Sequence, residues 1–587
     1  MTMFDWNRKD ADPNDTIARI EKILNTINIP TKFVAEYNYK GLWFSNRVEI
    51  DGIPFIGANG KGVSNEYAKA SALGEFMERL QSGFLLNNLF TNKINQINNQ
   101  YKCNDDWISC VTCTKKINFE NYVKEMSGKL KETNAIELFD IINDEKVWIP
   151  SQYIDMMCST TGLSSGNTFN EAFCQGLCEI FERYVVRYIY YGDYNEQLFC
   201  HLKESVYEDL QSYKMIQAIQ DKGYKVYVID CTLNNKIPVL GILLIDSSKT
   251  KYLFKLASDI NIDICLQRCI TEIFQGCTFD VNFRMSMIPF QTENKCDNFW
   301  NNLDTDYEYT KFIVNGTGRL PNRFLMQIMS VSDDVMVFRM EKLSNEQAAH
   351  QLLSIANRLS SKIYISNLTQ FGFPTLRIFI PYYSECFYFE NNNVVKIIEL
   401  KDQIKNSFCH NKPINKDIFL KIIKLSQINP YTYKFNLSKL IGIMLNDYDM
   451  YEYMYDVNLL IALLACYYDE SEIAEQYIRL YSESGRLSYR QSFLTESCIS
   501  AISSKVNCEE FVRFMQIFTQ EQQDIQRIKK FYRNALNGFS DIHCTECKKC
   551  TFLHRCQYPM IKQIAESMRK KCTMTLEDEF FDFLRSL

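Results

Sequence analysis

Proline and glycine are scarce in this chain, at 12 and 21 of 587 residues. That leaves little material for long disordered or linker tracts. Long apolar runs are missing as well. The longest, residues 459–466, falls far short of the roughly 20 residues that span a bilayer. The first fourteen residues are polar and hold no apolar segment, so no secretory signal is visible. No strong excess of basic charge is present. The net charge is -6 and the pI about 5.7, which advertises neither a nucleic-acid nor an anionic-membrane surface. There is no Walker A sequence, no kinase signature and no paired His–Glu zinc motif. A soluble cytoplasmic protein with no nucleic-acid or membrane partner is expected.

The composition that remains is globular, with 46% hydrophobic and 23% charged residues, and the length suggests more than one domain. The 22 cysteines are many for a reducing compartment. Most fall singly in apolar segments, where buried thiols act as small hydrophobes, and disulfides are not expected. Residues 1–385 mix helix and strand signals. Short β-rich runs at 224–230, 239–245, 335–340 and 376–381 alternate with amphipathic stretches. The reading is an α+β domain. From 386 to 587 the pattern is all-α. Helices over 459–468 and 473–482, joined by an acidic turn, suggest an αα-hairpin of the tetratricopeptide sort, although no clean repeat follows. Packing or homodimerisation is the expected role of that domain.

Three predicted helices carry carboxylates between apolar residues. On the first, over 64–81 and preceded by Asn59-Gly60-Lys61-Gly62, the residues Ser71, Glu75, Glu78 and Arg79 share a face. On the second, over 169–188, Glu171, Gln175, Glu179, Glu182 and Arg183 share a face. On the third, over 264–276, Arg268, Glu272 and Gln275 do so. Read singly, each stripe is what a solvated helix face looks like, and Thr168 with Glu171 has the spacing of a capping box. Read together they differ, because two helices repeat Glu-x-x-Glu-Arg after a glycine-containing loop and the third carries Glu-x-x-Gln. Six carboxylates gathered in a partly buried site would repel one another and lose hydration. Hard cations resolve that conflict. Mg²⁺ commonly shares its oxygen ligands between carboxylates and a substrate's phosphates. With Arg and Lys nearby, the pattern points to a polyphosphate held through Mg²⁺.

These segments resemble the YcaO family, whose members bind ATP through helix-borne Glu and Arg rather than a P-loop. The matching stretches are Asn59 to Gly62 with Ser71 to Arg79, Ser165 to Thr168 with Glu179 to Arg183, and Glu272 to Gln275. Lys9, Thr16 and Arg19 match the N-terminal nucleotide contacts of the long bacterial type with a helical C-terminal domain, Thr16 standing where serine is more usual. The resemblance implies that Lys9, Thr16, Arg19, Ser71, Arg79, Asn167, Arg183 and Arg268 contact nucleotide, with Gln175 and Gln275 close by. It implies that Glu75, Glu78, Glu171, Glu179, Glu182 and Glu272 hold Mg²⁺, some through water. No residue is assigned a catalytic role.

Family chemistry is ATP-dependent attack on a peptide amide, giving an azoline or, with an external sulfur donor, a thioamide, as in peptide natural-product maturation. The chain shows neither the Pro-x-Pro-x-Pro tail of many azoline-forming members nor a fused leader-binding domain. The long type is associated instead with methylthiolation of an aspartate on ribosomal protein twelve of the small subunit, as an accessory factor. The implied partners are a peptide or protein substrate and a sulfur-donor or radical SAM enzyme. Near the C-terminus Cys544, Cys547, Cys550 and Cys556 follow a Cys-x2-Cys-x2-Cys-x5-Cys spacing, with Cys572 beyond. Such spacing suits an iron–sulfur cluster or Zn²⁺, and Cys547 to Cys556 resembles the auxiliary-cluster segments of peptide-modifying radical enzymes. A structural role, tying down the helical tail, is expected.

Overall fold

A computed structural model describes residues 8–86, 107–112, 135–279, 281–290, 302–333, 341–387, 393–408, 413–428, 456–482, 489–540, 556–571 and 575–587, with a few single positions between them. The chain divides into two compact units, Met1–Glu390 with Ile564–Leu587, and Asn391–Gln563.

The first unit is α+β. Its strands in chain order are β1 (Thr31–Tyr39), β2 (Trp43–Ile50), β3 (Ile53–Gly62), β4 (Ala135–Asp140), β5 (Glu145–Pro150), β6 (Leu163–Ser165), β7 (Cys200–Leu202), β8 (Lys225–Asp230), β9 (Val239–Ile245), β10 (Lys251–Ser258), β11 (Ile288–Pro289), β12 (Val331–Ser332), β13 (Tyr364–Asn367) and β14 (Thr375–Phe379). They form three sheets, ordered β1-β2-β3, β5-β4-β13-β14-β6 and β11-β10-β9-β8-β7-β12. Neighbouring strands are antiparallel except β7 and β12, which run parallel. Strand β9 reads Val-Leu-Gly-Ile-Leu-Leu-Ile and is buried over all but its last residue, as an apolar strand covered on both faces must be.

Five helices frame the site described below. They are α1 (Pro13–Thr26), α2 (Asn65–Gln81), α3 (Phe169–Tyr191), α4 (Ile262–Ile273) and α5 (Asn345–Leu359). Three of them are launched from the ends of strands in three different sheets: α2 follows β3, α3 follows β6, and α4 follows β10. Each launch is capped by a side chain that accepts from the helix's free N–H groups. Ser64 accepts from Tyr67, Thr168 from Glu171, and Asn261 from Asp263 and Ile264. Helix α2 buries Ala68, Ala72, Leu73, Phe76, Met77 and Leu80. It lies so close to β3 that a Cβ on Gly60 would fall 2.1 Å from the Ala68 carbonyl oxygen and 2.2 Å from the Ala72 nitrogen. Only hydrogen fits at residue 60. A last helix, α6 (Glu577–Ser586), also belongs to this unit. Its Phe583 stacks on Phe169 at 5.8 Å and meets Phe173 edge-on at 5.6 Å.

The strands expected near 224–230, 239–245 and 376–381 are β8, β9 and β14. The strand expected over 335–340 is not seen where the structure describes that stretch: Val335 and Phe338 lie in no regular element, and their neighbours fall outside the described residues. Helix α4 starts earlier than its apolar period suggests because Asn261 caps it, and it stops at Ile273, so Gln275 sits beyond it. Gly276, at φ 79°, takes the left-handed conformation that ends the turn.

The second unit is helical. It contains Asn393–Ser407, Lys416–Ile428, Val457–Tyr467, Ser471–Ser482, Tyr489–Ser503, Cys508–Met515 and Gln522–Asn537. The apolar run at 459–466 is the centre of its core, packed against Phe419, Ile422, Ile478, Ile499 and Phe531. No described helix is long and apolar enough to cross a membrane. The described cysteines form no disulfides, and most are buried. Cys544, Cys547, Cys550 and Cys572 lie outside the described residues, while Cys556 is half-buried.

Candidate functional site

Helices α2, α3 and α4 converge on a cavity of about 520 Å³, within the size range of small-molecule sites. Ser71, Glu75, Glu78 and Arg79 reach it from α2, Glu171, Gln175, Glu179, Glu182 and Arg183 from α3, and Arg268 and Glu272 from α4. Lys9 and Thr16 enter from the N-terminal segment, Asn167 from the loop before α3, and Gln275 from just past α4. Of the residues expected to hold nucleotide or magnesium, Arg19 alone does not line the cavity. Its guanidinium turns away and donates to the carbonyls of Asn167 at 3.0 Å and Gly372 at 2.7 Å, lying 5.3 Å from the centre of the Phe373 ring. Arg19 braces two of the cavity's walls from behind.

Most of the charged groups are paired with one another. Arg79 lies 3.3 Å from Glu75 and 3.2 Å from Glu78. Arg183 stands 3.8 Å from Glu179 and donates to the Ile313 carbonyl at 2.7 Å. Lys61 pairs with Glu272, and Lys9 with Glu171 at 2.9 Å. Among the described residues, no three carboxylates are gathered tightly enough to ligate one cation as they stand.

Glu171 stands apart from the other acids. Its backbone N–H caps onto Thr168, but its carboxylate does not close a capping box. It accepts instead from Lys9, from the Asp10 N–H at 3.2 Å and from Asn167 Nδ2 at 3.1 Å. Burial pushes its pKa up, and these donors, led by Lys9, more than reverse that and leave it below its ordinary value. Asn167 also accepts from Thr16 Oγ1 at 3.0 Å. A chain of hydrogen bonds thus runs from α1 through Asn167 to α3.

Glu78 and Glu179 behave oppositely. Burial raises Glu78 well above its ordinary value, with Glu179 and Glu75 adding repulsion against the pull of Arg79. Burial likewise raises Glu179 to about 7, with Arg183 and Arg79 opposing and Glu182 adding to it. Both acids would be relieved by a cation.

Two groups at the cavity were not singled out from the sequence. Lys61, within the Asn59 to Gly62 motif, is pulled down to about 8 by burial, against the attraction of Glu182. Asp259, between β10 and α4, borders the cavity and receives Arg8 Nη2 at 2.6 Å. Its only sequence signal was the pattern Asp259-x-Asn261 ahead of a helix.

A family model described as YcaO cyclodehydratase, ATP- and Mg²⁺-binding, matches residues 59–384. An uncharacterized protein of Haemophilus influenzae is 26% identical over 294 residues, which are 46% of this chain and 49% of that one. The ribosomal protein S12 methylthiotransferase accessory factor YcaO of Escherichia coli is 23% identical over 403 residues, 65% of this chain and 66% of that one. The chain therefore spans about half to two thirds of the length of these relatives. Among solved structures, a heterocyclase in complex with substrate and cofactor aligns with a TM-score of 0.41 at 14% identity, covering 64% of this chain and 52% of that one. YcaO from Methanopyrus kandleri bound with AMPPCP and Mg²⁺ aligns with a TM-score of 0.38 at 15% identity, covering 64% of this chain and 91% of that one.

Proposed function

The chain belongs to the YcaO family, and from that premise we propose that its cavity binds ATP with Mg²⁺ and uses them to activate a peptide backbone amide by O-phosphorylation. The observation that carries the reading is the pair Glu78 and Glu179, two half-buried acids that face one cavity from different helices and whose ionised forms the fold disfavours. Such a pair fits a hard cation better than it fits an empty pocket. When bound, Mg²⁺ would neutralise charge on the polyphosphate and on these acids.

The residues would then act by exchange. Glu75, Glu78, Glu179, Glu182 and Glu272 would turn to the metal, leaving Arg79, Arg183, Arg268 and Lys61 for phosphate oxygens. Lys9, Thr16, Ser71, Asn167, Gln175 and Gln275 would place the remainder of the nucleotide. Glu171, already satisfied by three donors, fits an anchor for Lys9 and Asn167 better than a metal ligand.

In the reaction, a nucleophile on sulfur or oxygen bonds to the amide carbon and gives up its proton. The amide oxygen takes the γ-phosphoryl group and ADP leaves. The carbon–oxygen bond then breaks and phosphate departs. A neighbouring Cys, Ser or Thr as nucleophile gives an azoline with net loss of water, whereas external sulfide gives a thioamide. A second reading, as an ATP-binding accessory factor for methylthiolation of a ribosomal protein, draws on the printed name of the Escherichia coli relative.

Calorimetry tests the site. Glu75→Ala and Glu182→Ala should abolish Mg·ATP binding while circular dichroism is unchanged, and retained affinity in both would sink the assignment. Incubation with candidate peptides separates the two readings. Phosphate release with loss of water or exchange of oxygen for sulfur supports the enzyme. Binding without turnover supports the accessory role.

A further inference from the structure

Asp259 is 1% exposed and sits where β10 turns into α4. Its Oδ1 accepts the Asn261 N–H at 2.9 Å, which fixes the turn. Its Oδ2 accepts Arg8 Nη2 at 2.6 Å and stands 3.9 Å from Arg268 Nη1. Arg8 is fixed in turn by Asn345 Oδ1 at 3.2 Å, at the start of α5. The Arg268 side chain hydrogen-bonds to no described residue, although its carbonyl accepts Thr271 Oγ1 at 3.2 Å. The other charges that act on it include Glu182, which attracts it, and Lys61, which repels it.

We propose that Asp259 is a positioning residue that holds Arg268 over the cavity and away from Glu182, by sharing one carboxylate oxygen unequally between Arg268 and the anchored Arg8. The unequal distances carry the argument. A guanidinium in a full bidentate pair is slow to give up its partner. One with no partner would fall onto Glu182 and neutralise an acid meant for the metal. At 3.9 Å from a fixed anion, Arg268 is oriented yet free to meet a phosphate. The inference rests on the proposed function and names how one of its residues is held.

The test is calorimetry with ATP and Mg²⁺ on the full chain, using the unaltered protein, Asp259→Asn, Arg268→Ala, the double variant and Asp263→Asn. Asp263 accepts the backbone N–H of Ser212 at 2.9 Å from the first turn of the same helix, so its variant reports loosening of α4 alone. Asp259→Asn should weaken binding by about 10- to 100-fold, as loss of a supporting contact does elsewhere. The double variant should match Arg268→Ala, because the effect of Asp259 passes through Arg268. Asp263→Asn should stay within about twofold. Unchanged binding in Asp259→Asn, an equal loss in Asp263→Asn, or additive losses in the double variant would each overturn the proposal. Should Asp259→Asn not fold, Asp259→Glu keeps the charge and should weaken binding partly, again with no added effect once Arg268 is gone. Failure of the unaltered chain to bind overturns the proposed function and this inference together, whereas normal binding by both the unaltered chain and Asp259→Asn overturns this inference alone.

Discussion

Lys9 Nζ lies 2.9 Å from Glu171 Oε1, across a gap of 162 residues in sequence. The pair fastens the N-terminal segment to the first turn of α3. Because Glu171 is held below its ordinary value, its stabilisation is present above the unfolded value near 4.5 and is lost as pH falls through the folded one. Glu171→Gln should therefore cost about 1–3 kcal/mol at neutral pH, the size of a buried charge-assisted hydrogen bond. The difference from the unaltered chain should shrink as pH falls below about 4.5 and through the lowered folded value. Urea titrations at pH 7 and pH 4 measure both.

Glu78 and Glu179 predict the opposite slope. Their folded values are raised, so the fold favours the protonated acid and loses stability as pH climbs from about 4.5 toward 7. Without metal, melting temperature should fall over that window, and Glu179→Gln should flatten the fall, being higher by on the order of 2 °C at pH 8. Mg²⁺ should raise the melting temperature more at pH 8 than at pH 6, since fewer protons must be displaced. Differential scanning fluorimetry across pH, with and without Mg²⁺, decides it.

Gln81, fully buried at the end of α2, fastens the loop that brings Phe373 to the cavity. Its Nε2 donates to the Phe373 carbonyl at 2.8 Å, and its Oε1 accepts the N–H groups of Gln370 at 2.7 Å and Phe371 at 3.0 Å. Gln81→Ala would remove the bonds those two buried amides make to Oε1, at about 1–3 kcal/mol each. Hydrogen exchange at residues 370–371 should speed up by at least tenfold, and affinity for ATP should weaken as Phe373 drifts.

Gly60→Ala should fail by sterics alone. The added methyl would meet backbone atoms of α2 at 2.1 and 2.2 Å, which cannot swing aside as a side chain could. Either the protein is recovered unfolded, or α2 moves and Ser71 and Glu75 with it, abolishing Mg·ATP binding. Soluble yield and calorimetry on any folded fraction distinguish the two outcomes, and a variant that folds and binds normally would contradict the packing described.

The helices that carry the site were legible because each repeats a polar stripe between apolar residues, and the ends of α2 and α3 agree with that reading to within a few residues. The joint spacing of Glu75, Glu78, Glu179 and Glu182 could be read because helical period is local. The partners could not. Arg19 turns to the carbonyls of Asn167 and Gly372, and nothing in residues 13–26 encodes a bond to residue 372. Glu171 fits a capping-box pattern and a metal-ligand pattern equally well in sequence, and long-range donors from Lys9 and Asp10 decide against the box. Lys61 and Asp259 lie on no stripe, since one ends a strand and the other occupies a turn. The expected strand at 335–340 rested on apolar composition, which does not tell a strand from irregular chain packed on a core.

Three sheets each contribute one helix to a single cavity, through β3, β6 and β10. The cavity's lining accordingly joins residues from Arg8 to Phe373, and no fragment of that span contains it whole. Contacts so distant in sequence form late, after the loops between them have closed. On the proposed function, a partly folded chain would have nothing for nucleotide to hold, and binding would draw on the complete assembly only. During synthesis, nucleotide would act as a proofreader of the finished domain, stabilising chains in which all three sheets have docked and passing over those in which any one has not.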